Sequence, residues 1–278
     1  MNTNSNAYTV IYTTIVVVLV AAILAFVSQK LGPMQAANEK AETVSQILTA
    51  AGFGEKEHWA EIGNKSTLDF YKENIESSIL VDIDAQQVGN LDGSAAQVYS
   101  TSQLKAQNYN IKDGTSLQLP VYQFKNKVMV FPVYGAGLWG PVWGYIAVAD
   151  DFKTIVGAYF DHEGETPGLG GKIKDDPSFR AQFAGKVIDL SDEKPFSIVK
   201  GGAPEGKANA VDAVTGATMT SKGLDAAINT WVAAYGKTLL SGEAVNAFVE
   251  AVNECTDTTA VKEVLEETAE EIVKTVEE

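Results

Sequence analysis

The chain has 278 residues, 45% of them hydrophobic, which is enough to bury one sizeable core and places it outside the disordered class. Its formal net charge of -15, from 21 Lys and Arg against 36 Asp and Glu, argues against a nucleic-acid partner, because phosphate backbones recruit clusters of Lys and Arg. A single cysteine, Cys255, excludes an intrachain disulfide and any iron-sulfur cluster held by cysteines of this chain alone.

From Tyr8 the sequence is almost entirely apolar and free of charge, and residues 8–28 are predicted to form one transmembrane helix, long enough to cross about 30 Å of hydrocarbon. Met1 to Ala7 carry no Lys or Arg, which disfavours a cleaved signal peptide. Charge leaves the orientation open, since Lys30 and Lys40 are offset by Glu39 and Glu42. Gly32-Pro33 is predicted to end the span. A connecting helix over 34–53 then places Val44, Ile47, Leu48 and Ala51 on one face.

The main domain is expected over 54–256. Its first part, to about Gly114, is polar and mixed, with a strand-like piece at Ile79 to Ile83, loop signals at Gly89-Asn90 and Asp92-Gly93, and an isolated His58. Two β-hairpins follow: Leu119 to Phe124 with Val128 to Tyr134, and Tyr145 to Ala149 with Thr154 to Phe160. Asp176-Pro177 supplies a cap and a first helical residue for a short helix carrying Phe179 and Phe183, ended by Gly185, and Phe196 to Val199 form a short strand. Leu224, Ile228, Trp231 and Tyr235 recur at helical spacing, which starts a helix near Thr220 or Ser221. A further helix from Ser241 aligns Val245, Phe248, Val249 and Val252, and an acidic C-terminal helix over 257–278 serves as a solvated helix or a partner contact. Hairpins followed by helices, without strict alternation, give an α+β fold with an antiparallel sheet and flanking helices.

Gly135 to Gly140 match G-x-G-x-x-G, but Pro141 and a strand follow where a dinucleotide site requires a helix, so the glycines read as a connection between strands. Trp139, Trp143 and Tyr145 there offer aromatic surface to a ring system. Gly168 to Lys172 lack the first glycine and the Ser or Thr of a Walker loop. His162, Glu163 and Glu165 have no second histidine nearby, which disfavours a metal, and no G-x-S-x-G elbow nominates a hydrolase nucleophile.

Asp212-Ala213-Val214-Thr215-Gly216-Ala217-Thr218 presents a hydroxyl from a glycine-containing turn that runs into an amphipathic helix. Free N–H groups and the helix dipole favour a phosphate at such a junction, although a capped turn prefers the same residue types. The stretch resembles the D-x-x-[ST]-G-A-T flavinylation motif, and His162 to Gly171 resemble the H-x-x-E-T-P-G-L-G element upstream of it in the same family. The two blocks, in this order after one membrane anchor, make the chain similar to the C subunits of the sodium-translocating NADH:quinone reductases, and more weakly to the G subunits of Rnf complexes.

That resemblance implies one FMN esterified through its phosphate to Thr218, with Asp212, Thr215, Gly216 and Ala217 completing the motif. It implies flavin contacts at Glu165, Thr166, Leu169, Gly170 and Gly171, with Leu138, Trp139 and Thr220 as further contacts. It also implies a flavin transferase that uses FAD, other subunits of a membrane redox complex, and a bacterial inner-membrane location with the large domain on the periplasmic side. The complex would oxidise NADH, reduce quinone and move sodium, while this chain alone shows no NADH, quinone or sodium site. A membrane-anchored FMN-binding sensory module is the alternative class.

Overall fold

A computed structural model describes residues 6–241. The sequence expectations for the helix from Ser241, for Cys255 and for the acidic segment 257–278 lie outside the described residues.

The first element, α1 (Asn6–Ala50), is one helix of 45 residues with Pro33 inside it. The break foreseen at Gly32-Pro33, and with it a separate connecting helix, does not occur. Proline removes one backbone bond, but Met34 to Glu42 are mostly strong helix formers and the C-terminal turns are pinned by tertiary packing. Residues 9–31 are exposed, and Val44, Ile47 and Leu48 are fully buried. By length and composition α1 can cross a membrane.

The polar stretch after Gly54 forms α2 (Lys56–Asn74), bent at Gly63 where φ is +79°, then β1 (Ile75–Val81), β2 (Gln87–Leu91) and α3 (Thr101–Asp113). Ser100 and Gln103 form a reciprocal capping box at the start of α3, and Gly114 closes it in the left-handed conformation. The two hairpins follow as β3 (Leu119–Phe124) with β4 (Met129–Ala136), and β5 (Pro141–Val148) with β6 (Ile155–His162). Together the strands make an antiparallel six-stranded sheet in the order β2-β1-β3-β4-β5-β6. After it come α4 (Lys172–Asp175), α5 (Pro177–Ala181) capped by Asp176, the parallel pair β7 (Ser197–Val199) and β8 (Ala210–Asp212), and α6 (Thr218–Ala234).

The sheet is covered on both faces. On one, α6 and α3 enclose Phe131, Val133, Ile146, Phe160 and the fully buried Trp231. On the other, the end of α1 and the bent α2 enclose Tyr71, Tyr122, Phe124, Tyr145 and Tyr159. Tyr145 therefore belongs to the core beneath α1 and offers no surface to a ring system.

The buried tyrosines have a pH consequence. Burial pushes the Tyr71 hydroxyl up to about 12 and raises Tyr122, Tyr145, Tyr159 and Tyr235 as well. The neutral form is favoured in the folded state, so stability is intact below the unfolded tyrosine value near 10 and falls as pH rises through the folded values. Tyr71 alone accounts for a loss of about 2 kcal/mol by pH 12. Chemical denaturation midpoints should hold constant to about pH 10 and then fall cooperatively; midpoints still flat at pH 12 would contradict this account.

Candidate functional site

Strand β8 delivers the chain into the turn at Ala213 to Ala217, which backbone bonds from Ala213 to Val199 and from Ala217 to Val214 hold together with three bonds that involve side chains. Asp212 Oδ1 accepts from the Ala203 N–H at 2.7 Å, while the Asp212 N–H donates to Gln182 Oε1 at 2.8 Å. The Val214 N–H donates to Ser221 Oγ at 3.1 Å. Gly216 sits at φ +81°, where an L side chain is strained, and a Cβ there would lie 3.0 Å from Leu169 Cδ2. The two sequence blocks thus meet at Gly216 and Leu169.

Helix α6 starts at Thr218, two to three residues earlier than its spacing of Leu224 and Ile228 suggests. The expected caps, Thr220 and Ser221, are already inside the helix with their hydroxyls spent on tertiary bonds. The N-cap position is Ala217, and no side chain among the described residues caps the helix. First-turn N–H groups have no intrahelical acceptor and carry the positive end of the dipole. Thr218 is half-buried, and its hydroxyl makes no hydrogen bond to any described residue. Helical side chains lean towards the N-terminus, so an anion on this hydroxyl would lie against those N–H groups.

Glu165 organises the site. It is 4% exposed; its Oε1 accepts from the Leu138 N–H at 2.6 Å and the Trp139 N–H at 3.0 Å, and its Oε2 accepts from the Thr220 hydroxyl at 2.6 Å. One carboxylate therefore ties the connection between β4 and β5, the loop after β6 and the first turn of α6. The glycines around it are spatial requirements. A Cβ on Gly137 or Gly170 would overlap the Glu165 carboxylate, one on Gly223 would overlap the Ala136 carbonyl, and one on Gly135 would lie 2.7 Å from Ala227 Cβ. The G-x-G-x-x-G stretch accordingly joins two antiparallel strands and lets α6 approach the sheet.

The Thr166 to Lys172 loop folds on itself, with the Leu169 and Gly171 N–H groups both donating to the Thr166 carbonyl. The Glu165 N–H donates to His162 Nδ1 at 3.2 Å, which puts the imidazole proton on Nε2, an atom buried without a partner among the described residues. Gly171 lies above it, where a Cβ would stand 3.3 Å from Nε2. Met219 next to Thr218, Leu169 at Gly216, and Leu138 and Trp139 on the segment tied to Glu165 are all about half exposed or more, an apolar ledge on the segments that join at the start of α6. A separate cleft of about 740 Å³ lies between α3 and the sheet, lined in part by Lys105, Tyr109, Trp143 and Glu163.

Of the sequence candidates, Glu165, Leu138, Trp139, Gly170 and Thr220 meet at one carboxylate, while Leu169 and Gly216 meet beside Thr218. Asp212 faces the Ala203 loop instead of that carboxylate, and Thr215 is exposed. Asp161, Gln46 and Lys174 escape sequence reading, because Gln46 and Asp161 are 115 residues apart and meet only through the packing of α1 on β6.

A family model for the FMN-binding domain matches residues 137–233. The chain is 33% identical over 224 residues, 73% of its length and 81% of the relative's, to the C subunit of the Na(+)-translocating NADH-quinone reductase of Vibrio parahaemolyticus. It is 29% identical to the protein of the same name from Pseudomonas aeruginosa, over 83% of this chain and 93% of that one. Among solved structures, that of the corresponding C subunit from Parabacteroides distasonis superposes with a TM-score of 0.62 at 31% identity, covering 75% of this chain and 96% of that chain. The Shewanella oneidensis NqrC structure gives 0.59 at 26% identity, with 75% and 99% covered.

Proposed function

Because the chain belongs to the family formed by the C subunits of the Na(+)-translocating NADH-quinone reductases, we propose that it carries FMN through a phosphoester on Thr218 and passes electrons within a complex that couples them to sodium movement. Its FMN-binding domain makes it an electron-transfer subunit of an oxidoreductase complex. The observation that carries the covalent reading is the Thr218 hydroxyl, which bonds to no described residue and stands on the first residue of a helix that no described side chain caps.

Bound FMN supplies one- and two-electron redox chemistry, and the protein supplies position and electrostatics. First-turn N–H groups of α6 hold the phosphate, and Gly216 keeps the approach to it open. Leu138, Trp139, Leu169 and Met219 give the ring an apolar ledge, with Thr166, Gly170 and Gly171 shaping its edge. Glu165 has both oxygens occupied by protein donors, so it acts by fixing the ledge and the helix end relative to each other. Asp212 and Thr215 flank the turn as part of the surface a flavin transferase recognises. We place α1 across the bacterial inner membrane and the domain on its periplasmic side, with the other subunits beside it.

The test is expression of the full chain with and without a flavin transferase. Flavin fluorescence that survives denaturing electrophoresis, with the mass of one FMN on the peptide holding Thr218, is expected only with the transferase. A dark band despite an active transferase would overturn the tether.

A further inference from the structure

Gln46 stands in the buried end of α1 beside Val44, Ile47 and Leu48, at 3% exposure. Its Nε2 donates to Asp161 Oδ2 at 2.9 Å, and within α1 it also reaches Glu42 Oε1 at 3.3 Å. Asp161, 4% exposed, accepts through Oδ1 from the His162 N–H at 2.8 Å and pairs with Lys174 Nζ at 2.8 Å, just beyond the Thr166 to Lys172 loop. His162 Nδ1 accepts from the Glu165 N–H, and the Glu165 carboxylate accepts from the Thr220 hydroxyl in the first turn of α6. The links form an unbroken path from the N-terminal helix to a residue two positions from Thr218.

A carboxamide and a carboxylate are costly to bury, and apolar side chains would hold α1 to the sheet without that cost. The fold spends both groups where α1 crosses the strand that leads into the Glu165 loop. A satisfied polar network fixes one arrangement where apolar packing tolerates sliding. We propose that Gln46 and Asp161 are positioning residues that set the flavin-bearing turn of α6 relative to the N-terminal helix. The proposal rests on the Thr218 reading above and gives it a geometry: the turn is oriented from α1, through β6.

Amide hydrogen exchange of the unloaded full-length chain in detergent tests this without requiring flavin. Gln46→Met keeps the length of the side chain and removes its donor. It is expected to raise exchange severalfold in 162–172 and 214–221 and to leave β4 unchanged. Lys40→Gln breaks a different contact between α1 and the domain, the Lys40 Nζ to Ala95 carbonyl bond at 2.8 Å, and should leave both segments at the wild-type rate. Asp161→Asn should hold 214–221 near wild type, because its amide accepts from the His162 N–H and donates to Gln46 once that carboxamide turns over. Thr220→Val combined with Gln46→Met should loosen 162–172 no further than the more severe single variant, since the path is already cut. Wild-type exchange in Gln46→Met, or additive effects in the double variant, would overturn the proposal. Should the wild type itself stay dark with an active transferase, the Thr218 reading fails, and the exchange data still decide whether α1 orients the turn.

Discussion

Thr218→Ala is expected to yield a folded protein that carries no covalent flavin under conditions where the wild type is fully loaded. The removed hydroxyl bonds to no described residue, and alanine is the best helix former, so the change in stability should stay within about 0.5 kcal/mol. Thr218→Ser restores a nucleophilic oxygen at the same place and should regain fluorescence in part. Thr220→Val is the instructive contrast. Its hydroxyl donates to the Glu165 carboxylate, so its loss should lower stability by about 1 to 3 kcal/mol and reduce loading in part, while the protein that is loaded stays fluorescent after denaturation. Denaturing electrophoresis and thermal melts, run side by side, separate attachment from folding. A Thr218→Ala protein that stays fluorescent after denaturation would move the attachment elsewhere, with Thr215 the next hydroxyl to examine.

Glu165→Ala should be among the most disruptive single substitutions. It strands the Leu138 and Trp139 N–H groups and the Thr220 hydroxyl around a cavity, at an expected cost of about 3 to 5 kcal/mol. That is a large part of the stability of an ordinary domain. Flavin loading should fall with it, because the ledge and the end of α6 lose their common tie. Glu165→Gln discriminates between charge and connectivity. Its carbonyl oxygen can accept from both N–H groups and its amide can donate to Thr220 once that hydroxyl turns, so a loss of about 1 to 2 kcal/mol is expected, with loading retained. Equal destabilisation by both substitutions, measured by chemical denaturation, would show that the negative charge itself is required.

The local chemistry of the chain is legible directly. The hairpins around Lys125 to Lys127 and Asp150 to Lys153, the Asp176-Pro177 cap and the rejection of a dinucleotide site at Gly135 to Gly140 all depend on residues close in sequence, where alternation, turn propensity and capping act. Sequence and structure part where distant contacts override such preferences. Gly32-Pro33 carries strong stop signals, yet α1 runs through them. Thr220 and Ser221 are good cap residues, yet tertiary partners claim their hydroxyls and the helix opens earlier, at a residue with no cap. Gly54 to Gly114 carries little signal because α2 is bent at Gly63 and β2 is short and largely exposed. At the site itself, the two sequence blocks hold Glu165 and Thr220 separately; only the folded chain brings one onto the other.

The unbroken course of α1 has a geometric corollary. The first hydrogen bonds from α1 to the domain are at Asn38, which accepts from Asn64, and Lys40, and Ala36 already lines a cleft with Gln97 and Val98, so residues 29–35 form a largely exposed rod between the apolar span and the domain. A helix advances about 1.5 Å and turns about 100° per residue, so this rod holds the domain roughly 10 Å from the span. Inserting one residue there would swing the Thr218 turn by about 100° around the rod for a trivial gain in height. Inserting seven would return it to within about 20° of its original bearing and raise it by about 10 Å. Bearing and height can thus be dialled separately, which makes this rod a vernier for finding the direction from which electrons arrive.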